Sequence, residues 1–327
     1  VIKDVIFTYS NASSSNGGAF ELYKGMIDNV TGMTDNFVRL SSGQWVEKSS
    51  VKTYISKNII STKIKNSVYM IGSGWDKVEL DTSSPAAATA SFDGASLKLS
   101  IYTATSASLP VLPKDSLFSS VEVSTSNGKA EYILKLKENQ AIEGYYIEKT
   151  AKGIILYMKR PIKIHAGESP LSGITIMLDP GHGGNSIGAV GPLGINYAEK
   201  TINLKTALKM KTELEGLGAN VLMTRTTDKE VSLDERLNAS IKIKPDMFIS
   251  IHANCMEDNV DISKVDGFSV FYRETLAQSL SETIHKNTIE TFSRNSKGVH
   301  NKNFYVIRGT WPPSILLESG FVPNPNE

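Results

Sequence analysis

Three apolar runs in the second half of this 327-residue chain end in residues suited to metal chemistry. Ile174–Leu178 leads into Asp179-Pro180-Gly181-His182-Gly183-Gly184, and Met247–Ile251 leads into His252-Ala253-Asn254. Ile315–Leu317 leads into Glu318-Ser319-Gly320. A fourth acid, Glu199, sits in the first turn of the helical stretch after the glycine-rich loop. Catalytic zinc takes three protein ligands and leaves its fourth position to water, and two imidazoles with one carboxylate form one such set. His182, Glu199 and His252 supply it, at one zinc per chain. Glu318 is then free to act as a base beside the metal-bound water. The separations are long, so no local pattern such as H-E-x-x-H certifies the site. The fold has to bring these residues together.

The elements needed for that are legible. Strand Ile174–Leu178, helix Ala198–Gly216, strand Asn220–Thr224, helix Leu233–Ile243, strand Met247–Ile251, strand Phe268–Tyr272, helix Thr275–Phe292 and strand Ile315–Leu317 follow one another. Strands alternating with helices imply a mostly parallel twisted sheet covered by helices. Such sheets place their sites at the carboxyl ends of strands, where His182, His252 and Glu318 fall. Ser232-Leu233-Asp234-Glu235 fits a capping box.

The first half has another texture, rich in Ser, Thr, Asn, Val and Tyr. Val51–Ile55, Val68–Ile71, Leu97–Tyr102, Val121–Val123, Glu131–Leu136 and Gly153–Met158 read as strands between turn residues, so this half is expected to be all-β. The reading divides the chain into a β module over 1–57, a β-sandwich over 58–164, a linker over 165–173 and the α/β domain over 174–327.

Other residues admit plainer readings. His165, His285 and His300 read as linker, helix and loop histidines, with substrate contact open for His300. Arg225 and Arg236 fit either internal salt bridges or contacts to substrate carboxylates. The glycine-rich loop has neither the spacing nor the lysine of a phosphate-binding P-loop. Cys255 reads as a small buried residue rather than a fourth ligand. A single cysteine excludes an internal disulfide, and a net charge of +1 gives no bulk attraction to nucleic acid. No run of 18 apolar residues is present, so no membrane span is expected, and the opening run Val1–Phe7 reads as a mature or trimmed start.

Four blocks carry a resemblance. Leu178-Asp179-Pro180-Gly181-His182-Gly183-Gly184, Glu199-Lys200, Ser250-Ile251-His252-Ala253-Asn254 and Leu317-Glu318-Ser319-Gly320-Phe321 resemble the signatures of the zinc-dependent N-acetylmuramoyl-L-alanine amidases, the Amidase_3 family, in order and rough spacing. Val221–Arg225, Leu233–Arg236 and Asn303–Val306 add to it, over about residues 173–327. The resemblance implies zinc on His182, Glu199 and His252, catalysis by Glu318, and peptidoglycan as substrate outside the cytoplasm of a bacterium, Gram-positive by expectation. Asn254, Arg225, Arg236 and His300 are the candidates for substrate contact. Ser186 stands where the family often has Asp, and relatives continue past residue 327 into a final helix. Asn36–Val46 resembles the closing hairpin of SH3-like domains, and Gly144–Pro161 the last hairpin of AMIN β-sandwiches. A monomer is expected. An inactive wall-binding protein and a zinc peptidase acting within the stem peptide are the alternative functions. Only Arg273-Glu274 separate strand Phe268–Tyr272 from the next helix, so no plug over the metal is expected, with Met256–Asp266 a loop.

Overall fold

The computed structural model describes residues 1–15, 18–164, 166–167, 169–255, 261 and 265–324. His165 and most of the expected Met256–Asp266 loop lie outside them. The chain forms two compact units, Val1–Pro161 and Ile162–Glu327.

The first unit is all-β. Its strands are β1 (Val5–Phe7), β2 (Glu21–Tyr23), β3 (Val30–Met33), β4 (Phe37–Leu40), β5 (Trp45–Glu47), β6 (Thr62–Ile71) and β7 (Trp75–Thr82). They continue with β8 (Ala88–Phe92), β9 (Ser96–Tyr102), β10 (Ala104–Ser106), β11 (Phe118–Ser126), β12 (Lys129–Leu136), β13 (Tyr145–Lys149) and β14 (Gly153–Lys159). A five-stranded sheet, β10-β6-β7-β14-β13, and a four-stranded sheet, β11-β12-β9-β8, make up most of it, with β1-β2 and β3-β4-β5 as small sheets. Tyr69 of β6 meets Phe118 of β11 edge to face at 6.3 Å, one contact between the two larger sheets. Val51–Ile55 is not a strand, and Tyr54 and Ile55 are exposed. Apolar residues make a strand only where a partner offers a hydrogen-bond ladder, and none pairs with this segment. Conversely, β7 is hidden in the sequence by Asp76, Lys77, Glu79 and Asp81, although Asp76 is fully buried. Arg160 grips Asp76 with two nitrogens, at 2.6 and 3.0 Å, and Tyr69 donates its hydroxyl to the same carboxylate.

The second unit is a six-stranded sheet between helices. It comprises β15 (Thr175–Pro180), α1 (Glu199–Gly216), β16 (Asn220–Met223), α2 (Leu233–Ile243), β17 (Met247–Asn254), β18 (Phe268–Tyr272), α3 (Gln278–Phe292), β19 (Ser296–Asn301) and β20 (Ser314–Phe321). The order is β16-β15-β17-β20-β18-β19, parallel throughout except where β18 runs against β20. Ile174, Ile176, Leu178, Ile249, Ile251, Val270, Ile315 and Leu317 join one core with Ala207, Met210 and Leu214 of α1 and Leu280 and Ile284 of α3. Met177, Phe248 and Leu316 join a second with Ala239 of α2, Val306 and Ile307. The period-two alternation of the strands divides their side chains between these two layers. The capping box at Ser232–Glu235 is formed. β19 escaped the sequence reading because Ser296-Lys297-Gly298-Val299-His300-Asn301 has one large apolar residue, as suits an edge strand.

Arg160→Leu should leave Asp76 buried without its cation and destabilise the first unit by about 3 kcal/mol or more. Urea unfolding followed by fluorescence measures it; an unchanged midpoint would show that Asp76 finds enough support from Tyr69 and the Leu117 N–H.

Candidate metal centre

The sheet brings four distant residues to one end. His252 and Glu318 are paired positions on the adjacent parallel strands β17 and β20. His182 lies two residues past the end of β15, and Glu199 opens α1. Glu199 sits between the histidines: His182 Nε2 lies 3.1 Å from Oε2 and His252 Nδ1 lies 2.9 Å from Oε1. One donor atom from each of the three residues falls within 4.8 Å of the other two. A tetrahedral metal with bonds near ~2.05 Å separates its ligand atoms by about 3.3 Å, within the 4.8 Å over which these donors cluster, so the set could hold one divalent ion.

Burial alone would push the Glu199 carboxyl up, but hydrogen bonds from His182 and His252 and from the Ala189 N–H outweigh it. The group is held well below the ordinary carboxylate range, anionic and ready to ligate. Glu318 shows the opposite case. Burial, and then the negative charge of Glu199, push its carboxyl up to about 8. Its Oε2 is buried and accepts no hydrogen bond. A carboxylate beside another acid, with an oxygen left unpartnered, is a proton acceptor that a nearby cation or water would complete.

The loop bearing His182 is built for close approach. A Cβ on Gly181 would overlap the His252 ring, and one on Gly188 would strike Glu199 Oε2. His182 itself takes a left-handed backbone, φ +62°, uncommon for a residue with a side chain. Arg236 holds it there through a 2.6 Å bond from Nη2 to the His182 carbonyl. The same guanidinium pairs with the fully buried Asp179 and bonds the Pro180 carbonyl. Asp179 also accepts from Thr224 and Ser250. Arg225 donates to the carbonyls of Pro180, Gly181, Thr227 and Lys200.

These placements sort the expected substrate contacts. Arg225 and Arg236 are 1% and 3% exposed, with their donors engaged on the backbone beneath the site, and so are not free to meet a substrate carboxylate. His300 lies on the edge strand β19, its Nε2 facing the Lys297 carbonyl and its ring against Phe271. Asn254 ends β17, and its side-chain oxygen accepts from the Cys255 N–H. Cys255 is exposed rather than buried, and it is not in the ligand cluster.

Ser186 has a role the sequence did not disclose. Its hydroxyl lies 3.0 Å from His182 Nδ1, the nitrogen turned away from Glu199. Second partners of this kind orient a metal-bound imidazole. The signal was a polar side chain four residues after His182 in a glycine-rich turn.

Ser186→Ala should weaken zinc binding by about tenfold, and Ser186→Asp should restore it, because a carboxylate holds the imidazole N–H more firmly; chelator competition reads both. A second expectation concerns pH in metal-free protein. Glu318 keeps its proton in the fold up to about 8, whereas its ordinary value is 4.5. Its contribution is therefore complete below pH 4.5 and lost as pH rises through about 8. In chelator, melting temperature should fall across that window, and Glu318→Gln should flatten the fall.

Residues 176–327 match the family model described as N-acetylmuramoyl-L-alanine amidase. The probable cell wall amidase LytH of Staphylococcus epidermidis is 40% identical over 186 residues, covering 54% of this chain and 60% of that protein. Its Staphylococcus aureus counterpart is 36% identical over 160 residues, covering 49% and 52%. The chain thus spans about half to three-fifths of the curated relatives it matches. Among solved structures, the catalytic domain of CwlV, an N-acetylmuramoyl-L-alanine amidase from Bacillus (Paenibacillus) polymyxa var. colistinus, is 32% identical. That match covers 47% of this chain and 84% of that one, with a TM-score of 0.44. The second unit therefore carries, over residues 176–327, a domain of the N-acetylmuramoyl-L-alanine amidase family.

Proposed function

We propose that this chain is a zinc-dependent peptidoglycan hydrolase that cleaves the amide between N-acetylmuramic acid and L-alanine. The observation that carries the reading is the convergence of His182, Glu199 and His252 beside Glu318, whose Oε2 is buried and unpartnered, within a domain of this family. His182, Glu199 and His252 would hold the ion. When bound there, zinc supplies Lewis acidity toward the amide carbonyl and a water of lowered pKa.

The remaining chemistry falls to the chain. With the charge of Glu199 offset by a cation held between the two histidines, Glu318 Oε2, buried and without a hydrogen-bond partner, would take the proton of the attacking water. Glu318 is then the acid that returns a proton to the departing alanine nitrogen. Its burial and its acidic neighbour favour the protonated form that this second step needs. Glu199 cannot share the role, since three N–H donors and two imidazoles hold its oxygens. Arg225 and Arg236 act through the backbone, keeping the His182 loop in place.

The substrate puts the site of action outside the cytoplasm, at the cell wall. No helix of the described residues is long and apolar enough to cross a membrane. The β unit, with an SH3-like module over 1–57 and an AMIN-like sandwich over 58–164, would bind the wall and raise the local concentration of substrate. Its strand-rich make-up supports that reading. One zinc per chain is expected, with no nucleic-acid partner.

The test is a digest of purified peptidoglycan by the full chain, with and without chelator, followed by mass spectrometry. Free lactyl ends released only without chelator are expected; new peptide termini would mean a peptidase, and no release an inactive binding protein. Glu318→Gln should keep its zinc and lose roughly 10²–10⁴-fold in rate. Loss of zinc instead would make Glu318 a ligand.

A further inference from the structure

We propose that Asn203 is a positioning residue for the metal centre, fixing the rotation of the Glu199 carboxylate and tying it to the loop that carries His182. The inference rests on the metal-centre reading above and adds a residue to it. Asn203 lies one turn beyond Glu199 on α1, so the two side chains share a helix face. It is completely buried. Its Nδ2 lies 3.3 Å from Glu199 Oε1 and 3.3 Å from the Gly181 carbonyl, the residue before His182. Both neighbours are acceptors, so chemistry alone orients the amide with its NH2 toward them.

The other end of the amide marks this as a placement for something other than packing. Asn203 Oδ1 is buried and has no hydrogen-bond partner. An asparagine inside a helix, fully buried and half satisfied, is a poor choice for stability. Leucine has nearly the same shape and would remove the orphaned oxygen. It would not orphan the two acceptors either: Glu199 Oε1 keeps the Ala253 N–H and the Gly181 carbonyl keeps Arg225 Nη2. What leucine removes is the side-chain bridge from Glu199 to the Gly181 carbonyl, next to His182. Oε1 receives Asn203 and Ala253, and Oε2 receives Ala189. Together these three donors set the plane in which the carboxylate faces His182 and His252. Asn203 is the one side chain among them, and it also reaches the Gly181 carbonyl beside His182.

Full-length wild type and Asn203→Leu are prepared metal-free. Melting is measured without metal, zinc affinity by competition with a chromophoric chelator, and cobalt(II) absorption as a reporter of ligand geometry. Asn203→Leu should melt at or above the wild-type temperature, bind zinc about 10–100-fold more weakly and show an altered cobalt spectrum. Zinc affinity within about threefold of wild type, with the same cobalt spectrum, would overturn the proposal. Ala207→Gly, on the same helix but packed in the core, controls for loosening of α1. An equal loss of affinity there would also overturn it. If Asn203→Leu does not fold, Asn203→Ala is read by the same two criteria. A wild type that binds no zinc would remove the metal-centre reading itself, a result distinct from equal binding by both proteins.

Discussion

The ion pair between Asp179 and Arg236 is the constraint on which the metal end of the second unit depends. Both side chains are essentially excluded from water, so neither charge could stay there alone. Asp179 lies at the end of β15, and its two oxygens collect Arg236 from α2, Thr224 from beyond β16 and Ser250 from β17. A single carboxylate thereby registers three strand ends and a helix. Arg236 uses its remaining donors on the Pro180, His182 and Val231 carbonyls. Remove the pair and the loop holding His182 loses its floor, while a buried charge is left uncompensated.

Above that floor, electrostatics divides two similar acids. Glu199 opens α1 and Glu318 lies on β20 at the same end of the sheet, yet one is kept anionic and the other is pushed toward neutrality. The difference comes from donors. Glu199 has backbone N–H groups at both oxygens and an imidazole facing each. Glu318 has an unpartnered oxygen and the charge of Glu199 for a neighbour. Under the proposed function, one would hold a cation and the other would exchange a proton, the division of labour that metal-assisted hydrolysis needs.

Much of this was legible because the second unit obeys simple periodicity. Apolar runs ending in His252 and Glu318 became strands whose carboxyl ends meet, and the capping box at Ser232 formed as written. What was not legible depended on three-dimensional partners. Arg225 and Arg236 carry charges that sequence allows to face solvent or substrate; only the fold shows them turned inward to backbone carbonyls. Ser186 and Asn203 are unremarkable polar residues until His182 and Glu199 are seen beside them. In the first unit, β7 was concealed by its own charges, one of which is neutralised only by Arg160, 84 residues away. Val51–Ile55 had the composition of a strand and no partner.

The strand order carries a consequence for biosynthesis. β20 follows every other strand of this sheet in the sequence and so leaves the ribosome after them, yet it lies inside the sheet, between β17 and β18. Until it inserts, β17 has a bare edge and β18 with β19 has no attachment to the rest of the sheet. Glu318 rides on that strand. A chain in which β20 has not yet inserted can therefore bring His182, Glu199 and His252 together without Glu318. Closure of the sheet and completion of the site are one event, dependent on contacts between distant residues, a slow kind of step in folding.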